Sequence, residues 1–468
     1  MSRHRITSRT LWRSGALLGS VLFVAAPVAG QDEAGDQRFR FGFDQTFEAQ
    51  DNIRLDPDSA GTTYSSDTRL SFGFDTTTGL NELSFDATGV GRIVNDPVIG
   101  SYFGLRDPEL DLAYSRTGVN SRVLFDLGYF RPDLAFNDPL RDGNNNEQDF
   151  ARGGGVREQL DGGFRFETGL TSPLGFIVDL ETRAVKYRET EDPLLFDNIT
   201  NRALAEVNFQ LSPVMLGRVD LFEERYRGED TRNTDRTTRR LTAGIDYDLS
   251  PISSFSLDLG HSDVTETFDQ PDDRLTATGF VGAFDARREM PNGDATARLS
   301  SILTQQGRQN DLLLGRNLEL PGGSLNVALG VAQGDTFDPR PIGRLAYMVE
   351  GSRSILDISV ERTVRISDIV SEATERTELG IGYDLAINQV SSLSLDLFYA
   401  DASVVGQNTG NAARDRGSFY ATYTRNVTPD WDLSLGYKYL YVGGTDNLGP
   451  GSSNGAFFSL QRDFNVFR

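Results

Sequence analysis

Apolar and polar residues alternate with a period of two along almost the whole chain beyond residue 36. The clearest stretch is Gly244 to Leu259, where Ile245, Tyr247 and Leu249 alternate with Asp246, Asp248 and Ser250. A turn at Ser250-Pro251 follows, and Phe255, Leu257 and Leu259 then alternate with Ser256 and Asp258. Period-two alternation on both sides of a short turn predicts two antiparallel strands, each with one apolar and one polar face. The unit returns at Gly380 to Leu397 with a slightly longer turn. A lone hairpin cannot bury its apolar face, so a chain of such units needs a shared surface for all of them.

The same grammar runs from Phe39, Phe41, Phe43 and Phe47 to the C-terminus. Tight turns are predicted near Gly79, Gly118, Pro173, Pro213, Pro251, Asn292, Pro321, Ser352, Gln389 and Pro429, at intervals of mostly 38 to 41 residues. Between them lie stretches rich in Asp, Asn, Gly and Arg, read as longer loops. These are Arg131 to Arg157, Glu189 to Asn198, Gly228 to Asp235, Ser262 to Asp273 and Val404 to Asp415. Short turns at one end and long polar loops at the other is the asymmetry of an outer-membrane β-barrel. Ten hairpins and one unpaired strand at each end predict 22 strands. The hairpins near Asn292 and Ser352 are the weakest, which leaves 18 or 20 as alternatives. The Arg131 to Arg157 loop either folds inward as a constriction or stays outside.

The N-terminus decides between lipid and a second sheet as the surface. Arg3, Arg5, Arg9 and Arg13 precede an apolar run, Ser14 to Ala26, and Val28 and Gly30 suit a cleavage site before Gln31. Residues 1–30 therefore read as a secretory signal peptide, 31–36 as a short periplasmic lead-in and 37–468 as the barrel. No apolar run beyond Gly30 approaches the ~20 residues of a transmembrane helix. The absence of Cys excludes disulfide scaffolds and thiol-held metals. Loss of residues 1–30 leaves 42 basic against 68 acidic residues, a net charge of −26. That balance argues against nucleic acid as a partner. A soluble β-sandwich, with ~7 to 9 strands per domain, does not accommodate this many uniform hairpins.

The apolar faces carry Tyr114, Tyr129, Phe164, Phe209, Tyr247, Tyr383, Tyr423, Tyr437, Tyr439 and Tyr441, many near strand ends where rings sit at a lipid–water boundary. The opposite faces supply the lumen-facing candidates Arg38, Arg40, Arg122, Asp126, Arg165, Asp248, Asp258, Asp396 and Lys438. Only Lys186 and Lys438 are Lys, so Arg provides nearly all the positive charge. Planar guanidinium groups suit ladders that bridge several carboxylates. The final strand, Ala456 to Arg468, ends on Phe467-Arg468 with Arg462 interrupting its apolar face.

Taken with the signal peptide, the repeated hairpins, TPDWDLSLGYKY (Thr428 to Tyr439) and the aromatic last strand, the chain resembles porin-like outer-membrane barrels linked to exopolysaccharide-synthesis gene clusters. The resemblance implies a role in polysaccharide export and supplies no functional residues. TonB-dependent receptors also have 22 strands, but they carry a plug domain ahead of the barrel. A first strand beginning by Gln37 leaves no room for one, so a plugless barrel is expected.

Catalytic chemistry finds little footing. Apart from His4 the chain has one His, His261, which continues the apolar Phe255, Leu257, Leu259 face. A general base would have to point inward. Asp142 to Asp149 resembles a calcium loop but lacks the Gly at position six and the Glu at twelve. Gly89-Val90-Gly91 and Gly153-Gly154-Gly155 do not sit between a strand and a helix, so they cradle no phosphate. No catalytic residue, cofactor or metal site is expected. The expected function is a porin-like channel or polysaccharide-export component, with a blocked structural or adhesive barrel as the alternative and a barrel enzyme after it. The expected partners are outer-membrane lipid and lipopolysaccharide, the barrel-assembly machinery, and small cations or an exopolysaccharide.

Overall fold

The computed structural model describes residues 36–141, 154–190, 192, 195–269, 272–367, 372–405, 414–444 and 449–467. These form 22 strands. The first half comprises β1 (Asp36–Gln50), β2 (Thr63–Thr78), β3 (Asn81–Asp96), β4 (Gly100–Thr117), β5 (Ser121–Phe130), β6 (Val156–Thr168), β7 (Leu174–Arg188), β8 (Asn198–Ser212), β9 (Met215–Gly228), β10 (Thr234–Ser250) and β11 (Ser253–Asp269). The second half comprises β12 (Asp272–Met290), β13 (Gly293–Thr304), β14 (Gly307–Leu320), β15 (Gly323–Gly334), β16 (Arg340–Glu350), β17 (Ser354–Ile366), β18 (Ala373–Asn388), β19 (Ser391–Val404), β20 (Arg414–Thr428), β21 (Trp431–Val442) and β22 (Gly451–Phe467). Each strand pairs antiparallel with the next. β1 also pairs with β22, placing Phe41 opposite Phe464 and Phe47 opposite Phe458, so the sheet closes without an edge.

Alternation explains both faces. Ile245 of β10 lies opposite Leu257 of β11, which lies opposite Phe284 of β12, and all three are exposed. Phe39 stacks with Phe74 and Phe41 with Phe72, with ring centroids 5.0 and 5.2 Å apart. A continuous exposed apolar belt of this kind is the lipid-contacting surface of a membrane barrel. His261 stands on the same outer face, edge to Phe280. Arg462 also faces outward, over the rings of Phe464 and Trp431 and 3.4 Å from Asp430. Its charge therefore sits at the short-turn rim, among rings that stack on it.

Not every interval between tight turns is a long loop. β3 and β4 are joined by residues 97–99, and β13 and β14 by Gln305 and Gln306. Ser262 to Asp273, expected as a loop, is strand as far as Asp269. The reason is visible in its side chains. Thr265 and Thr267 are β-branched, and Val264, Glu266 and Phe268 alternate with them and are almost fully buried on the inner face. The Arg232 guanidinium stacks on Phe268 at 3.3 Å. Polar composition there marks a strand lined with charge rather than a solvated turn. Residues 1–35 and the Asp142 to Asp149 stretch lie outside the described residues.

Candidate functional site

All nine predicted inward residues share the face opposite the apolar belt, and they fall into separate groups along the wall. Arg40 of β1 reaches Asp75 at 3.1 Å and Asp86 at 2.9 Å, with Arg38 two residues along the same face. Arg122 meets Glu167 at 3.1 Å, and Arg165 bridges Glu167 at 2.6 Å and Asp179 at 3.1 Å. Asp126, next along β5, lies opposite Gly163. Asp258 takes Arg218 at 2.6 Å, while Asp248 sits at the short-turn end of the same strand pair. Asp396 and Lys438 lie opposite Tyr420 from either side, and Lys438 pairs with Glu48. Most of these pairs are half-exposed ladders that hold the wall's side chains in place and contribute little stability each.

Two segments fold inward over this wall. The first is 131–141, between β5 and β6. Its start is fastened by an isolated bridge from Asp133 to Val156 and by Leu134 N–H donating to Gly155 O at 2.9 Å. Asp133 N–H also donates to Asp107 Oδ1 at 2.7 Å. Arg92 of β3, only 4 % exposed, stacks on Phe136 at 3.8 Å and pairs with Asp67 and Asp107 at 2.8 Å. The Asp133 carboxylate completes this group at 4.0 Å. One buried guanidinium thus faces three carboxylates. Burial raises the Asp133 carboxyl above the ordinary carboxylate range, against the pull of Arg92.

The other end of this strap crosses to a distant part of the ring. Tyr420 Oη donates to Asp138 Oδ2 at 2.8 Å, Arg141 lies over the Tyr420 ring at 4.7 Å, and Leu140 packs on Ala400 and Ala402. The second inward segment, 51–62, meets it there: Leu55 packs with Tyr420, Leu440 and Val442. Leu55 adopts φ +56°, unusual for a branched residue, and its carbonyl lies 1.9 Å from where a Cβ at Gly451 would stand. Only glycine at 451 admits this approach.

The inner wall from β5 to β9 holds a cavity of about 560 Å³. Asp126, Asp161, Arg165, Asp179, Glu181, Arg183 and Arg202 form its charged wall. Phe196 and Tyr226, both buried, form its apolar part. Arg365 and Ile366, at the loop end of β17, reach it from far round the ring. The cavity brings together two of the nine predicted residues, Asp126 and Arg165; the other seven line other parts of the wall. Arg92, Asp138, Tyr226, Arg365 and Tyr420 were not singled out from sequence. Tyr226 and Tyr420 break the rule that aromatic residues face lipid, and their parity relative to Leu221 and Phe419 would have revealed it.

No family model matches this chain, and no curated protein matches it. Solved structures do. The ferric enterobactin receptor of Pseudomonas aeruginosa, in a complex with enterobactin, matches with TM-score 0.54 and 9 % identity, over 93 % of this chain and 82 % of its own. The ferric-catecholate import receptor of E. coli K12 gives TM-score 0.56 and 9 % identity, over 90 % and 81 %. A copper transporter gives TM-score 0.54 and 11 % identity, over 92 % and 80 %. At such identity the likeness is one of fold, and these are transport proteins rather than enzymes. The chain is an all-β barrel of the outer-membrane type.

These likenesses correct two expectations. The plugless, porin-type expectation, drawn from the early start of the first strand, gives way to a closed 22-strand barrel similar in fold to the receptors and the transporter just named. Strand count and closure are properties of the ring, and a plug contributes no strand to it, so the position of β1 does not argue against that barrel. The porin-like channel and the polysaccharide-export component give way likewise, since the barrels it matches are those of ligand-specific receptors and a transporter.

Proposed function

We propose that this chain is a receptor-type transport barrel of the outer membrane, which captures a small ligand inside a narrowed lumen. The observation that carries the reading is the strap 131–141, pinned at one end on Arg92 and at the other on Tyr420, in a barrel whose inner wall also holds a cavity of ligand size. Binding sites of 300–1,000 Å³ with an apolar part and a few placed polar groups suit small organic ligands. Enterobactin, the ligand bound in one of the similar barrels, is of that kind. Export follows from removal of residues 1–30, giving a chain that begins at Gln31 and contacts lipid and lipopolysaccharide through its apolar belt.

Planar-bilayer recordings test this. The wild-type barrel should pass far less current than an unobstructed ring of its strand number, and loosening the strap with Tyr420→Phe and Arg92→Lys together should raise it. A wide, steady conductance in the wild type, unchanged in the double variant, would overturn the reading.

A further inference from the structure

Charge pairing around the 560 Å³ cavity is complete except at two positions. Arg183 holds Asp161 at 2.6 Å, Arg165 holds Asp179 at 3.1 Å, and Arg202 holds Glu181 at 3.7 Å and Glu224 at 2.7 Å. Asp126 and Arg365 remain. Among the described residues, neither has an ion pair or hydrogen bond from its side chain, and they do not reach each other. Asp126 is also held in place from below. Its carboxylate lies where a Cβ at Gly163 would stand, 2.3 Å from that position, so the absent side chain gives it its seat. Arg365 comes from β17, while Asp126 belongs to β5, so the two groups enter from different parts of the ring.

We propose that this cavity binds a small zwitterion of short-peptide size, with its cationic group on Asp126 and its carboxylate on Arg365. The inference rests on the receptor reading above and names its ligand class. A ligand with only negative charge would face Asp126, Asp161, Asp179 and Glu181, and one with only positive charge would face Arg165, Arg183, Arg202 and Arg365. A dipolar ligand satisfies the two groups left over and leaves the existing pairs of Arg165, Arg183 and Arg202 intact. Its hydrocarbon or aromatic body lies against Phe196 and Tyr226, and Asn198 and Thr200 supply hydrogen-bonding groups for amide atoms between the ends.

Titration calorimetry on the purified, folded barrel decides this with three matched probes: glycyl-phenylalanine, its N-acetyl form and its C-terminal amide. The free dipeptide should bind saturably and at least ~10-fold more tightly than either blocked form, the worth of one charge-assisted contact. Asp126→Asn should weaken the dipeptide and the amide by a similar factor and leave the N-acetyl form unchanged. Arg365→Gln should weaken the dipeptide and the N-acetyl form and leave the amide unchanged. Heat-modifiability on gels verifies that both variants are folded. Equal binding of all three probes, indifference to both substitutions, or no saturable binding of any probe would overturn the zwitterion site. Because the receptor reading is tested by conductance, a narrowed barrel that ignores these probes would refute the ligand class alone.

Discussion

Tyr420 Oη donates a 2.8 Å hydrogen bond to Asp138 Oδ2, tying the strap between β5 and β6 to the wall at β20. Both groups are buried, and the acceptor is a carboxylate, so the bond belongs to the stronger class, about 1.5–3 kcal/mol. Arg141 lies on the same ring. Tyr420→Phe keeps the ring and removes the bond. It should raise the rate of trypsin cleavage after Arg141 in proteoliposomes by ~10-fold or more, since cleavage follows the population of the released strap. A rate equal to wild type would mean that Leu140 and Arg141 hold the strap without the hydroxyl.

Arg92 is the second anchor and a costlier one to lose. Replacing it with Met leaves Asp67, Asp107 and Asp133 together without a counter-charge, and breaking a buried ion pair by removing one partner costs about 3–5 kcal/mol. Arg92→Met should lower the urea midpoint of the folded barrel markedly. Arg92→Lys keeps the charge but loses the two-pronged grip on Asp67 and the stacking on Phe136, so its midpoint should fall between the other two.

Asp133 gives that anchor a pH dependence of known sign. Burial raises its carboxyl above the ordinary range, so the docked strap binds a proton more tightly than the released one. Docking is therefore penalised above the raised value and strengthens as pH falls through it. Trypsin cleavage in the strap, corrected for the enzyme's own pH profile, should slow from neutral pH into the acid range. Asp133→Asn should dock at neutral pH at least as firmly as wild type and lose this trend.

The ring was legible in the sequence because every element repeats one signal. Phe39, Phe41 and Phe43, or Phe255, Leu257 and Leu259, state their face by parity alone, and all ten predicted turns lie at or beside observed hairpin ends. The strap was legible only as a long loop with two possible positions. Whether 131–141 folds inward depends on Arg92 and Tyr420, which lie on β3 and β20, and no local pattern links residues so far apart. The cavity was hidden for the same reason: Asp126 and Arg165 were found by alternation, whereas Arg365 joins them only because the end of β17 reaches the opposite wall. The porin-like reading failed at a different point. Alternation and turn spacing are common to diffusion pores and receptor barrels, so the period that reveals the strands does not separate the two.

Leu257 and Asp248 test the faces most directly. Leu257 lies between Ile245 and Phe284 in the apolar belt on the outer surface, and a guanidinium there would be dragged into hydrocarbon at a cost of ~2–4 kcal/mol. Leu257→Arg should therefore reduce the fraction of heat-modifiable, folded barrel recovered from membranes. Asp248 has the opposite parity to Tyr247 and makes no side-chain ion pair among the described residues, so Asp248→Asn should assemble like wild type. Asp258 is a poorer control, because it holds Arg218 at 2.6 Å and its loss would disturb that ladder. Equal recovery of the Leu257→Arg and Asp248→Asn proteins would refute the register, because a slip of one residue exchanges the two faces along the whole strand.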